Sequence, residues 1–113
     1  MRSERHKKAA KNDHMLIHND IVVLATDGVT DNVFDEQIID QCLKPHMKAS
    51  GDLPKPEDAA LCISSLAESI SYSETIVTPW TENATAAGKD RKKNTGGKED
   101  DITVIVAQVK LHH

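Results

Sequence analysis

Only two stretches of this chain are dense enough in apolar side chains to form buried strands. One is Asp20-Ile-Val-Val-Leu-Ala-Thr26, which holds an unbroken apolar run from Ile21 to Ala25. The other is Ile102-Thr-Val-Ile-Val-Ala-Gln-Val109, apolar on both faces until Gln108. Continuous β-branched and aliphatic character over so short a length reads as a strand covered on both sides. The rest of the chain is thin in core material. Of its 113 residues 38% are hydrophobic, and the aromatics are Phe34, Tyr72 and Trp80; the usual apolar share is ~45–50%. A core of ordinary size then has to come from a few dense segments, with the rest solvated or packed on something else. No run approaches the ~20 apolar residues of a membrane-spanning helix.

Between the two runs the signals are helical. Gly28 permits a sharp change of direction after the first run. Asp31, Asn32 and Asp35 offer capping oxygens, and Asp35-Glu36 puts negative charge into the first turn of a helix running to about Leu43 and closed by Pro45. Gly51-Asp-Leu-Pro-Lys-Pro56 is a loop, and Pro56 with Glu57 and Asp58 suits the start of a second helix. There Ala59, Cys62, Ile63, Leu66, Ala67 and Ile70 recur at steps of three and four, opposite Glu57, Asp58, Ser64, Ser65 and Glu68. That is the stripe of an amphipathic helix lying on a sheet. Residues 81–99 carry Gly88, Gly96 and Gly97 with Lys89, Arg91, Lys92, Lys93 and Lys98; they read as a long loop. No internal repeat is present.

Charge divides the chain unevenly. The formal net charge is −4, yet residues 1–18 carry Arg2, Arg5, Lys7, Lys8 and Lys11 against Glu4 and Asp13. A basic tail (1–18) on an acidic body (19–113) raises the idea of a nucleic-acid or membrane arm. The tail has neither interleaved aromatics nor an apolar helix face, so a solvated, flexible terminus is the preferred reading, with no membrane and no nucleic-acid partner. The tail also lacks the apolar centre of a secretory signal. An intracellular setting, cytoplasmic or mitochondrial, is therefore expected. Cys42 and Cys62 are then expected to stay reduced, as buried free thiols on apolar helical positions. Asn83-Ala-Thr85 matches a glycosylation acceptor, but without an export signal the match carries little. His112 and His113 read as a frayed end rather than a metal site.

Two carboxylates stand out by position. Asp27 follows one dense run and Asp100 precedes the other. A carboxylate at a strand end is held rigidly at the sheet rim, and antiparallel pairing of the two strands brings these two to one point. Two oxygen ligands without Cys or His suit Mg2+ or Mn2+ better than zinc. The plainer alternative is that Asp27 forms a turn with Gly28, while Asp100 and Asp101 are a solvated acidic cluster.

The surrounding residues shift that balance. Asp20-Ile-Val-Val-Leu-Ala-Thr-Asp-Gly-Val-Thr-Asp-Asn-Val33 resembles the strand-plus-Asp-Gly motif of metal-dependent serine/threonine protein phosphatases of the 2C type. Gly96-Gly-Lys-Glu-Asp-Asp-Ile-Thr-Val-Ile-Val106 resembles the closing motif of that family, and Thr78-Pro79-Trp80 is similar to the Ser/Thr-Pro-Phe of its mitochondrial-type branch. Spore-type bacterial regulatory phosphatases share the Asp-Gly and Asp-Asp-Ile-Thr pattern but match less well at Thr78-Pro79-Trp80 and Gly96-Gly97. The resemblance covers residues 20–109. It implies an α+β fold, the C-terminal part of a β-sandwich flanked by helices. It also implies a two-metal centre for hydrolysis of phosphoserine and phosphothreonine in a phosphorylated protein substrate. Asp27 and Asp100 match metal-binding aspartates, Asp101 stands at a neighbouring position not counted as a ligand, and Thr26 and Asp31 match framework positions.

The family's upstream parts are an arginine for the phosphate, an early acidic ligand and an Asp-Gly-His-Gly segment. None has a counterpart in residues 1–19. The expected activity of the chain alone is therefore nil, as a fragment or partial paralogue of the phosphatase. The competing reading is a non-catalytic interaction module with a phosphatase-like fold, whose uncovered sheet edges offer a surface for dimer formation.

Overall fold

The computed structural model describes residues 2–5, 15–86 and 96–111. Its sheet has three strands: β1 (Arg2–Arg5), β2 (Ile21–Ala25) and β3 (Val104–Gln108), in the order β1-β2-β3. β2 and β3 pair antiparallel, with Ile21 opposite Gln108 and Ala25 opposite Val104. β1 pairs parallel to the other edge of β2, Arg2 opposite Val22 and Arg5 opposite Ala25. Residues 2–5, read from sequence as part of a flexible tail, are thus strand. Their charge pattern gives no strand signal, and the backbone edge of β2 supplies the pairing instead. Residues 6–14 lie outside the described residues.

The two apolar runs do become strands, but each is covered on one face only. Along β2 Ile21, Val23 and Ala25 are buried while Leu24 is exposed. Along β3 Val104 and Val106 pack against the core and Ile105 points away, 57% exposed. The expectation of two covered faces is corrected here: among the described residues the helices pack on one side of the sheet. The other side opens as an apolar groove of about 320 Å³ lined by Leu24, Ala25, Thr26, Thr103 and Ile105.

The covering layer is helical. α1 (Asp27–Thr30) follows β2 directly; α2 (Asp35–Gln37) widens into a π-helical stretch (Ile38–Leu43) and tightens into a 3-10 turn (Lys44–His46). The helix expected to about Leu43 is therefore present in irregular form, and Pro45 lies inside its last turn rather than beyond it. α3 (Pro56–Ser71) starts at Pro56 as expected. Ala59, Ile63, Ala67 and Ile70 are buried in its stripe, with Cys62 and Leu66 partly buried against the same cluster. That cluster also holds Ile21, Val23, Val29, Val33, Ile38, Leu43 and Leu53, so one core joins sheet and helices.

Two further differences from the sequence reading have physical causes. α4 (Pro79–Ala86) occupies the start of what reads as a loop. Thr78 and Thr81, both fully buried, exchange capping bonds: Thr81 N donates to Thr78 Oγ1 at 3.2 Å, and Thr78 N to Thr81 Oγ1 at 2.9 Å. With Pro79 at the first helical position, a short polar segment acquires a defined start. Residues 87–95 of that loop lie outside the described residues. Cys42 and Cys62 form a disulfide that joins the π-helical stretch to α3, which corrects the expectation of free thiols. Sequence placed both on apolar helical faces; their helices cross there, bringing the Cα atoms to 5.5 Å. Cross-links over a separation of 20 residues contribute about 3 kcal/mol in the chain-entropy account.

At the far end of the sheet Gln108 closes the structure. Its Nε2 donates to Gly51 O at 2.7 Å and to Asn19 O at 3.2 Å, and its Oε1 accepts Leu53 N at 2.8 Å. Beside it Lys110 bonds Asp52 and Asn19. The Lys110 ammonium, with help from the Ser50 hydroxyl, holds the exposed Asp52 carboxyl below its ordinary 3.8. The pair is fully formed above that value and is lost as pH falls beneath it.

Packing on α3 carries a direct expectation. Ile63→Ala should cost ~2–5 kcal/mol in urea unfolding, as for a fully enclosed aliphatic side chain. Leu61→Ala, at 66% exposure, should stay within ~0.5 kcal/mol.

Candidate metal-binding rim

The rim where β2 ends and β3 begins is built by two backbone segments lying on one another. Ala25 leads through Thr26 into α1; the closing segment 96–103 leads into β3. Thr26 stitches the two: its Oγ1 donates to Asp101 O at 2.6 Å and accepts Thr103 N at 3.0 Å, while its backbone N donates to Thr103 O at 3.1 Å. A hydroxyl that both donates and accepts is what this position requires. The framework role implied by the resemblance thus has a concrete form.

Gly28 sets how near the segments come. A Cβ there would lie 2.2 Å from Asp101 O and 2.9 Å from Asp100 O. Its hydrogen is needed for close approach. Gly97 does the same one step upstream, where a Cβ would meet Ile70 O at 2.1 Å. Gly96, at φ +108°, donates its N–H to Ile76 O, and Gly97 N donates to Ser73 O, each at 2.7 Å. The closing segment therefore runs across the C-terminal end of α3 before it reaches α1, and both contacts demand glycine.

Asp27 is the first residue of α1, and Asp100 lies on the segment pressed against Gly28. The structure brings the two to the same rim and leaves both exposed. The Asp100 carboxylate accepts the N–H of Asp101 at 2.8 Å. Asp101, also exposed, contributes its carbonyl to Thr26. Asp31 pairs with Lys98 at 3.5 Å, and its carbonyl accepts Trp80 N at 2.9 Å, so it ties α4 to the rim. Among the described residues no group of three or more His, Cys, Asp or Glu side chains is arranged to hold a metal ion. The donors at the rim fit a hard cation in kind and fall short in number. Thr30, inside α1, has a buried hydroxyl without a hydrogen-bond partner.

One residue carries more of the site than its sequence signal suggests. Asn32 reads as a candidate cap; in the fold it is buried, and its side chain reaches Gly28 and Lys98. Phe34, not Asn32, starts α2, with its N–H donated to Gln37 Oε1 at 2.8 Å. Only the proximity of two chain-distant segments reveals this, which no spacing rule reports.

Comparison with known proteins agrees with this architecture. The chain is 36% identical over 103 residues to Probable protein phosphatase 2C 1 of Oryza sativa subsp. japonica, covering 84% of this chain and 29% of the relative. It is 33% identical over 105 residues to protein phosphatase PTC7 homolog fig of Drosophila ananassae, covering 93% of this chain and 30% of that one. Among solved structures it superposes on the photosystem II phosphatase PBCP with a TM-score of 0.68 at 33% identity, over 84% of this chain and 38% of that chain. No family model matches the chain. The fold is α+β, of the 2C-type phosphatase kind. The chain is thus 2C-phosphatase-like, corresponding to a C-terminal part of that fold. It spans about 30% of the length of the relatives named here.

The close approach at Gly28 generates a test. Gly28→Ala should destabilise by at least ~1–3 kcal/mol, because the added methyl meets backbone that cannot swing aside. Ala60→Gly, on the same scale, should cost ~1 kcal/mol from helix propensity. Circular dichroism melts compare the two; equal or smaller loss at Gly28 contradicts the packing described.

Proposed function

We propose that this chain supplies the Asp27–Asp100 edge of a metal-dependent phosphatase site, whose reaction is hydrolysis of phosphoserine or phosphothreonine in a protein. The observation that carries the reading is the rim itself. The backbone segments that bear Asp27 and Asp100 are pressed together at Gly28, in a chain whose relatives are 2C-type phosphatases. Asp27 and Asp100 would hold Mg2+ or Mn2+ from this side. Such an ion, when bound, lowers the pKa of a coordinated water and stabilises charge on the phosphoryl oxygens. The chain's own contribution is to fix one ligand at the start of α1 and one on the segment leading into β3; Thr26, Gly28 and Gly97 do that fixing.

Two ligands bind magnesium weakly, since it keeps most of its waters and demands near-ideal octahedral geometry. Among the described residues no group of three or more ligating side chains is arranged to hold an ion. The open apolar face of the sheet, with Leu24 and Ile105 exposed, supports the same reading: it is the surface on which a second sheet would lie to complete a sandwich. The alternative, a non-catalytic interaction module, draws on that same face and on the open edge of β3, which could take a second copy. No helix among the described residues is long and apolar enough to cross a membrane.

The expected result is no turnover of a phosphothreonine peptide by the purified chain in excess Mn2+. Addition of a polypeptide carrying the remaining part of a 2C-type relative should restore turnover, and Asp27→Ala or Asp100→Ala should remove it. Metal-dependent turnover by the chain alone, abolished by both substitutions, would show instead that it is a sufficient enzyme. Restored turnover untouched by either substitution would assign the chain to the non-catalytic module.

A further inference from the structure

Asn32 is 1% exposed and sits where three backbone groups converge. Its Nδ2 donates to Gly28 O at 2.7 Å and to Lys98 O at 2.7 Å, and its Oδ1 accepts Lys98 N at 2.7 Å. Both donors and the acceptor of the carboxamide are used, each at good length. Lys98 is thereby bound through N–H and C=O together, as a neighbouring strand would bind it. Asp and Leu are close to Asn in size, but Asp keeps only the acceptor and Leu keeps nothing, leaving buried backbone groups unpaired.

The location gives this clasp a consequence. Asp100 lies between two anchored points on the closing segment. Downstream, Asp101 and Thr103 are held by Thr26. Upstream, the hold nearest to Asp100 is Asn32 on Lys98, followed by Gly97 on the end of α3. The Lys98–Asp31 ion pair is partly exposed and contributes little on its own. Asn32 is also bonded to Gly28, the residue after Asp27. One buried side chain thus touches the immediate neighbourhood of each carboxylate.

We propose that Asn32 is a positioning residue: it clasps the Lys98–Asp101 stretch to the Asp27–Gly28 turn and so fixes the spacing of the Asp27 and Asp100 carboxylates. The clasp stands on hydrogen bonds alone; its consequence for metal binding rests on the function proposed above.

The test uses the 113-residue chain, with Asn32→Ala and Asn32→Asp variants. Asn32→Asp preserves size and the acceptor for Lys98 N, so it keeps the experiment readable if Asn32→Ala does not fold. Amide hydrogen exchange is followed by mass spectrometry, and Mn2+ affinity by electron paramagnetic resonance. Exchange should accelerate by about tenfold or more across residues 96–103 and at the Asp27–Asn32 turn, with α3 and the β2–β3 ladder unchanged. Affinity for Mn2+ should fall about 10–100-fold, the effect of removing an outer-shell support. Unchanged exchange at 96–103 overturns the clasp, and faster exchange over the whole chain makes Asn32 merely a stabilising residue. Local loosening with unchanged Mn2+ affinity overturns the positioning role. Asp27→Ala and Asp100→Ala are measured alongside. If neither weakens Mn2+ binding, the metal reading of the rim fails, while the exchange data still decide the clasp.

Discussion

The backbone of Asp100 and Asp101 lies so close to Gly28 that no side chain fits between them. Most of the functional geometry depends on that contact. It places the start of β3 beside the end of β2, lets Thr26 bond both Asp101 and Thr103, and keeps Asp27 and Asp100 at one rim. The contact is stable because the segment feeding it is fixed from behind. Gly97 lies against Ile70 O, Gly96 is bonded to Ile76, and Thr78 donates its hydroxyl to Gly96 O at 3.1 Å. The end of α3 and the start of α4 therefore act as a platform for the closing segment. α3 is held in turn by its buried stripe and by the Cys42–Cys62 link.

Among the described residues the other side of the sheet is open. A sheet in a sandwich covers its inner face with a second sheet, yet here Leu24 and Ile105 face an open groove. That asymmetry agrees with a chain spanning about 30% of its relatives' length. It also explains why the strands look doubly buried in sequence and are singly buried in the fold. Their composition is suited to an apolar environment on both sides, and only one is supplied by the described residues.

Much of this was legible from residue order. The strands, their antiparallel pairing and the stripe of α3 all rest on local pattern. What escaped the sequence is non-local. Arg2–Arg5 form β1 through the free edge of β2, not through their own propensity. The disulfide depends on two helices crossing, and Asn32 on a segment far along the chain. The beginning of α4 was missed for a different reason: Thr78 and Thr81 cap it from both directions, and a polar stretch shows no apolar period to announce a helix.

The central proposal is that Asp27 and Asp100 would hold a divalent cation at the rim. Its most direct test is a Mn2+ titration followed by paramagnetic broadening of backbone amide signals in the nuclear magnetic resonance spectrum. Broadening should begin at Gly28 and Asp101 and fade with distance along β2 and β3. Earliest broadening around Asp52 at the opposite end of the sheet, or uniform loss of signal across the chain, would contradict the account.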